Sequence, residues 1–158
     1  MKELILITCY WIHLIATVVW IGGIIFILFI AMPSAKQVLG SEAGRLMGEI
    51  SKSFTPIANY SIVALLVTGA ALTALNKQFS GIGNFGNNWT LVLILKHFLV
   101  LGMVVVHFYR GLALTHKIAK TESSAEKISL QKLSLNLVKL NFFLGLIVLM
   151  LSGIISIV

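Results

Sequence analysis

Residues 4–32 read LILITCYWIHLIATVVWIGGIIFILFIAM and contain no lysine, arginine, aspartate or glutamate. A helix crosses the hydrocarbon core of a bilayer with about 20 apolar residues, so this run is long enough to span a membrane. Three further apolar runs follow at roughly residues 54–75, 89–117 and 133–157. We therefore predict an all-α integral membrane protein with four transmembrane helices in an antiparallel bundle. Pro56 falls in the first turn of the second predicted helix, where proline is tolerated.

The composition agrees with a membrane protein. Of the 158 residues, 58% are hydrophobic and 11% are charged, whereas soluble domains carry about 25% charged residues. This balance argues against a disordered chain, a nucleic-acid-binding domain and an ordinary soluble enzyme. The length fits one domain, residues 1–158, and the single cysteine, Cys9, provides no intramolecular disulfide.

Basic residues are distributed unevenly between the two ends of the predicted helices. Eight lie around the first and third connections, namely Lys36, Arg45, Lys52, Arg110, Lys117, Lys120, Lys127 and Lys132. The opposite side has Lys2 and Lys77, the latter in a Gly/Asn-rich connection at 76–88. Because basic loops stay in the cytoplasm, we predict that both termini lie outside. The protein is then a multi-pass protein of the cytoplasmic (inner) membrane.

Polar side chains inside the predicted spans are the candidate functional groups, since they are costly in lipid. They are His13, Asn59, Lys96, His97, His107, Lys139 and Asn141. At 1.5 Å per residue, His13 lies about 13 Å below the outer end of its helix, and Lys96 and His97 about 10–12 Å below theirs. His107 is about 27 Å deep, near the cytoplasmic interface. A plainer alternative is that these histidines only make hydrogen bonds between helices.

A histidine and a second nitrogen donor on facing helices can hold a haem iron. We predict His13 as one axial ligand and Lys96 or His97 as the other. Helical spacing and small residues suggest a surrounding pocket of Tyr10, Thr17, Trp20, Gly23, Gly69, Met103 and His107. Alternatively, Cys9, His13 and His97 could bind copper through thiolate and imidazole groups, with Met103 as a further ligand.

Three motifs follow one another along the chain. The first run contains WIHLIATVVWIGG at 11–23, the second contains FTP at 54–56 and VTG at 67–69, and the third contains Lys96 and HFYRG at 107–111. In this order they resemble the CopD family, the copper-resistance D membrane domain, and the related HemJ-type protoporphyrinogen oxidases. The resemblance covers three of the four predicted helices.

The resemblance implies a four-helix membrane bundle. In HemJ-like proteins the histidine and lysine at the positions of His13 and Lys96 are the essential pair and the proposed haem ligands. HemJ-type sequences also carry an arginine and a Tyr-His pair where this chain has Phe29, Pro33 and Ser34. That difference argues against protoporphyrinogen oxidation, and Pro33 resembles CopD instead.

Our leading sequence-based hypothesis is a haem-b-binding membrane protein with a redox or electron-transfer role. A copper transport or copper-resistance protein and a HemJ-like protoporphyrinogen oxidase are the alternatives, and a structural subunit of a larger complex is a third, weaker interpretation. If the protein is an enzyme, we expect an oxidoreductase. The expected partners are the lipid bilayer and a quinone or an extracytoplasmic redox protein, with no nucleic acid; a homo-oligomer is left open.

Overall fold

The computed structural model describes residues 1–78, 81 and 88–157. All regular structure in these residues is helical, as predicted. The α-helices are α1 (Lys2–Phe26), α2 (Met32–Leu39), α3 (Ala43–Ala74), α4 (Asn88–Phe108), α5 (Thr115–Lys120) and α6 (Ser124–Ile154). Two π-helical segments, Ile27–Ala31 and Tyr109–Leu114, extend α1 into α2 and α4 into α5, and a 3-10 turn, Gly40–Glu42, precedes α3.

Three helical stretches of the described chain are long and apolar enough to cross a membrane, namely Lys2–Ala74, Asn88–Lys120 and Ser124–Ile154. The first stretch reverses direction at Gly40, whose φ of 50° and ψ of −113° lie outside the helical region. A positive φ is easily adopted by glycine, so this residue allows the chain to turn back. Contacts of α1 with α3 follow an antiparallel order: His13 meets Thr68, and Gly23 meets Phe54.

The helices extend beyond the apolar runs that predicted them. The second helix begins at Ala43 rather than near residue 54, so Pro56 lies inside α3 and its prediction as a first-turn residue was wrong. The last helix begins at Ser124, where the Ser123 hydroxyl accepts a hydrogen bond from the Glu126 backbone N–H. Apolarity marks the part of a helix that suits lipid, whereas helical hydrogen bonds also form in polar segments. Helix ends therefore cannot be read from hydropathy.

The described contacts group the chain into two compact units, residues 1–81 and residues 82–158. In the first unit, α1 packs against α3 around Trp20, Ile24, Ala58 and Ile62, all of which are buried. In the second unit, α4 packs against α6, and the Asn141 side chain donates a hydrogen bond to the Met103 carbonyl. A single domain over residues 1–158 stays a prediction. The predicted connection at 76–88 falls mostly on residues 79, 80 and 82–87, outside the described part of the chain.

Among the glycines of the first unit, Gly23 lies where α1 and α3 come closest together. A Cβ atom at Gly23 would overlap the ring atoms of Phe54, whereas a Cβ at the neighbouring Gly22 would meet nothing within 4 Å. Small residues allow such close packing in membranes, where van der Waals contact is a main source of helix association. Gly23 is therefore required by packing, and Gly22 is not.

We expect Gly23→Ala to lower the free energy of unfolding by about 1–3 kcal/mol, the usual cost of an extra methyl group in a packed contact. Thermal unfolding of the detergent-purified protein measures this change. Gly22→Ala is the matched control and should unfold like the wild type. In a Phe54→Ala background, Gly23→Ala should lower the free energy of unfolding much less than it does in the wild type, because the ring that the new methyl group would overlap is absent. Equal effects of the two glycine substitutions would contradict this packing.

Candidate functional site

His13 is held by a pair of short hydrogen bonds that connect α1 to α3. Its Nδ1 atom lies 2.8 Å from the Thr68 hydroxyl oxygen, and that hydroxyl lies 2.6 Å from the carbonyl oxygen of Ala64. A carbonyl can only accept, so the single hydroxyl proton of Thr68 goes to Ala64. The Thr68 oxygen must then accept a hydrogen bond from the Nδ1–H of His13. A neutral imidazole in this position therefore carries its proton on Nδ1 and has its lone pair on Nε2.

Gly69 lies beside the same imidazole. A Cβ atom at Gly69 would stand 3.5 Å from His13 Cε1, which is ordinary van der Waals contact. The Cε1 edge of the ring therefore lies close to α3 at Gly69, the residue after Thr68. Thr17, also predicted to line the site, donates its hydroxyl to the His13 carbonyl at 2.8 Å and is bonded within its own helix.

The remaining candidates on α1 divide between two faces. Trp20 is buried, with 2% of its surface exposed, and Cys9 is partly buried one turn before His13. Tyr10, in contrast, lies on the exposed face of α1, with 61% of its surface exposed. Residues four apart share a helix face, so Cys9 and His13 form a thiol–imidazole pair on one face of α1.

The candidates on α4 also divide between faces. Met103 and His107 are buried and Lys96 is partly buried, whereas His97 is exposed. His97 Nδ1 lies 2.8 Å from the carbonyl oxygen of Leu93, one turn earlier. Since that carbonyl can only accept, His97 also carries its proton on Nδ1. Lys96 and His97 do not point the same way, as their adjacent positions on a helix require.

Within the first unit, the structure brings together the predicted site residues His13 and Gly69. Gly23 meets Phe54, which was not predicted as a site residue. Across residues 1–78, 81 and 88–157, no three His, Cys, Asp or Glu side chains lie together as a metal site would require. The predicted pairing of His13 with Lys96 or His97 in a haem site, and the three-ligand copper site of Cys9, His13 and His97, both stay predictions.

Sequence reasoning missed Thr68 as a site residue. It stood in the Val67-Thr68-Gly69 motif, but nothing in the sequence showed that its hydroxyl accepts from a histidine 55 positions earlier. Histidines that bind metals commonly donate their other ring N–H to a nearby oxygen, which fixes the tautomer and directs the ligand nitrogen. Thr68 has this relation to His13. The arrangement fits an imidazole that binds a metal through Nε2.

We expect Thr68→Val to release the imidazole of His13 from its Nδ1–H tautomer, since valine keeps the shape of threonine but has no oxygen. Nitrogen-15 NMR of the histidine rings distinguishes the two tautomers. Thr55→Val is the matched control, because Thr55 also donates to a carbonyl four residues earlier, that of Ser51, in the same helix. The control should leave the His13 signals unchanged. An unaltered tautomer in Thr68→Val would show that this bond does not set the proton position.

Comparison with known proteins identifies a family for most of the chain. Residues 48–155 match the family model of Copper resistance protein D, CopD, over more than half of the chain. The matched segment contains Thr68, Gly69, α4 and all of α6, and it begins after α1. No curated protein and no solved structure matches the chain. The relation to HemJ-type oxidases is not tested by these findings. The chain is a multi-pass membrane protein that belongs to the Copper resistance protein D family.

Proposed function

We propose that the protein binds copper as cargo and takes part in copper transport or copper resistance at the membrane. The observation that carries this proposal is the family match over residues 48–155. It supports the copper alternative of the sequence analysis rather than the haem hypothesis. The tautomer of His13 adds a chemical argument, because an imidazole with its lone pair on Nε2 is prepared to bind a metal.

Cys9 and His13 are the proposed ligands of the first unit. A thiolate and an imidazole one turn apart on the same helix offer one soft and one borderline ligand, a combination that suits Cu(I). The sequence prediction that His97 also binds the ion stays a prediction; the structure shows only that its Nδ1–H is bonded to the Leu93 carbonyl. Thr68 is a positioning residue in this scheme, since it touches His13 and not the ion.

We further propose that the chain crosses the membrane four times. The first apolar stretch turns back at Gly40, and α1 and α3 are each longer than the about 20 residues a span requires. The connections at Gly40–Glu42 and Thr121–Ser123 would then share the cytoplasmic side, where the basic residues lie. Both termini would lie outside, and the membrane would be the cytoplasmic (inner) membrane.

The haem-b hypothesis remains as the second candidate. It rests on the resemblance of His13 and Lys96 to the HemJ pair, and the family match does not add to it. An absorption spectrum of the purified protein, oxidised and then reduced, distinguishes the haem hypothesis from the copper proposal. A Soret band with sharp α and β bands on reduction would favour haem and a redox role. Copper without a Soret band would favour the proposal above.

We expect Cys9→Ser and His13→Ala each to weaken Cu(I) binding at least about tenfold, since even outer-shell partners of metal sites contribute 10–100-fold. Competition with a chromophoric Cu(I) chelator under reducing conditions measures the affinity. His116→Ala is the control, because His116 is exposed on α5 and has no part in the proposed site. Unchanged affinity in both Cys9→Ser and His13→Ala would overturn the site.

We expect single cysteines to report the four-span topology in a Cys9→Ser background. Ser41→Cys and Ser123→Cys should react with a membrane-impermeant maleimide only after the inner membrane is opened, because both connections lie on the basic side. Gln78→Cys should react in intact spheroplasts. All three positions are exposed, so burial does not limit labelling. Labelling of Ser41→Cys and Gln78→Cys from the same side would contradict four spans.

A further inference from the structure

The buried face of α4 contains a methionine and a histidine one turn apart. Met103 is 1% exposed and His107 is 5% exposed. Residues four apart on a helix are neighbours on its surface, so the thioether and the imidazole share this face. Neither residue belongs to the Cys9–His13 pair, which lies on α1 in the other unit.

Asn141 of α6 lies against this face and has an unsatisfied atom. Its Nδ2 donates to the carbonyl of Met103 at 3.2 Å, and the residue is 5% exposed. Its Oδ1 is buried and makes no hydrogen bond within the described part of the chain. A buried polar atom without a partner is costly, and it is commonly explained by a bound water, ion or ligand. Because Nδ2 and Oδ1 belong to one amide group, Oδ1 also lies close to the Met103 carbonyl.

The side-chain chemistry of Met103 and His107 favours some metal ions over others. A thioether is a soft ligand and an imidazole a borderline one, and together they favour Cu(I) over hard ions such as Mg²⁺ or Ca²⁺. Arg110 is close enough to His107 for its charge to act on the imidazole. Repulsion by a nearby cation is twice as large for a divalent ion as for a monovalent one. A monovalent, soft ion therefore fits best.

We infer that Met103 and His107, together with the amide oxygen of Asn141, form a second Cu(I) site on the α4–α6 pair. The identity of the ion rests on the proposed function, whereas the residues are independent of Cys9 and His13. Cu(I) binds readily to two soft or borderline ligands, and the amide dipole of Asn141 would stabilise the positive charge. The second site gives Oδ1 the partner that it lacks among the described residues.

Counting bound Cu(I) in full-length purified protein tests this inference, with a chelator competition under anaerobic, reducing conditions. The wild type should bind two ions, and the Cys9→Ser/His13→Ala variant should bind one. Adding Met103→Leu to that variant should weaken the remaining ion at least about tenfold, because leucine keeps the volume of methionine without its sulfur. Met150→Leu is the matched control, since Met150 is 69% exposed, and it should change nothing. Thermal unfolding verifies that each variant is folded.

The outcomes separate this site from the one in the proposed function. One ion in the wild type that Cys9→Ser/His13→Ala removes would leave the proposed function intact and overturn the second site. One ion that Met103→Leu removes, but Cys9→Ser/His13→Ala does not, would support the second site and overturn the first. Binding unaffected by Met103→Leu in the Cys9→Ser/His13→Ala background, or Zn(II) bound as tightly as Cu(I), would contradict the second site.

Discussion

The hydrocarbon core of a bilayer offers no water to a polar group, so each one must be satisfied by the protein. Several hydroxyls in these helices do this locally by donating to the carbonyl four residues earlier, as Thr17 and Ser152 do. Thr68 makes the same local bond and also accepts from His13. This second bond joins α1 to α3 and gives the imidazole a defined tautomer. One threonine thus serves both the helix pair and the candidate site.

The motif residues of the two helices contact each other in the folded chain. Gly23 receives the ring of Phe54, and His13 meets Thr68 and Gly69. The order is antiparallel, so the end of one motif lies beside the start of the other. Since lipid is as apolar as leucine, burial of apolar surface does not favour one register of two helices over another. The register of α1 against α3 is instead favoured by two specific contacts. Gly23 leaves room for the Phe54 ring, and His13 forms a hydrogen bond with the Thr68 hydroxyl.

Hydropathy was sufficient to predict an all-helical membrane protein, because a long apolar run without charges has few other stable structures. It was not sufficient for helix ends: α3 begins eleven residues before its apolar run, and Pro56 is an interior residue. Periodicity placed Tyr10 on the face of His13, but the structure leaves it 61% exposed. A repeat of three and four residues defines a stripe, and only the packing partner decides which edge of it is buried. Thr68 could not be found because its role depends on a contact between distant segments.

The choice between copper and haem depends on whether the ligands come from one helix or from two. A haem iron with two axial ligands joins the helices that supply them, and its removal loosens the bundle. Cys9 and His13 lie on one helix, and Met103 and His107 lie on another, so a copper ion held by the sulfur and imidazole of either pair could be released without separating α1 from α3 or α4 from α6. A small number of ligands also keeps the affinity for the ion low. A transported ion needs such a limited affinity, because it must be released. The ligand spacing of four residues therefore fits a protein that passes copper on better than one that stores it.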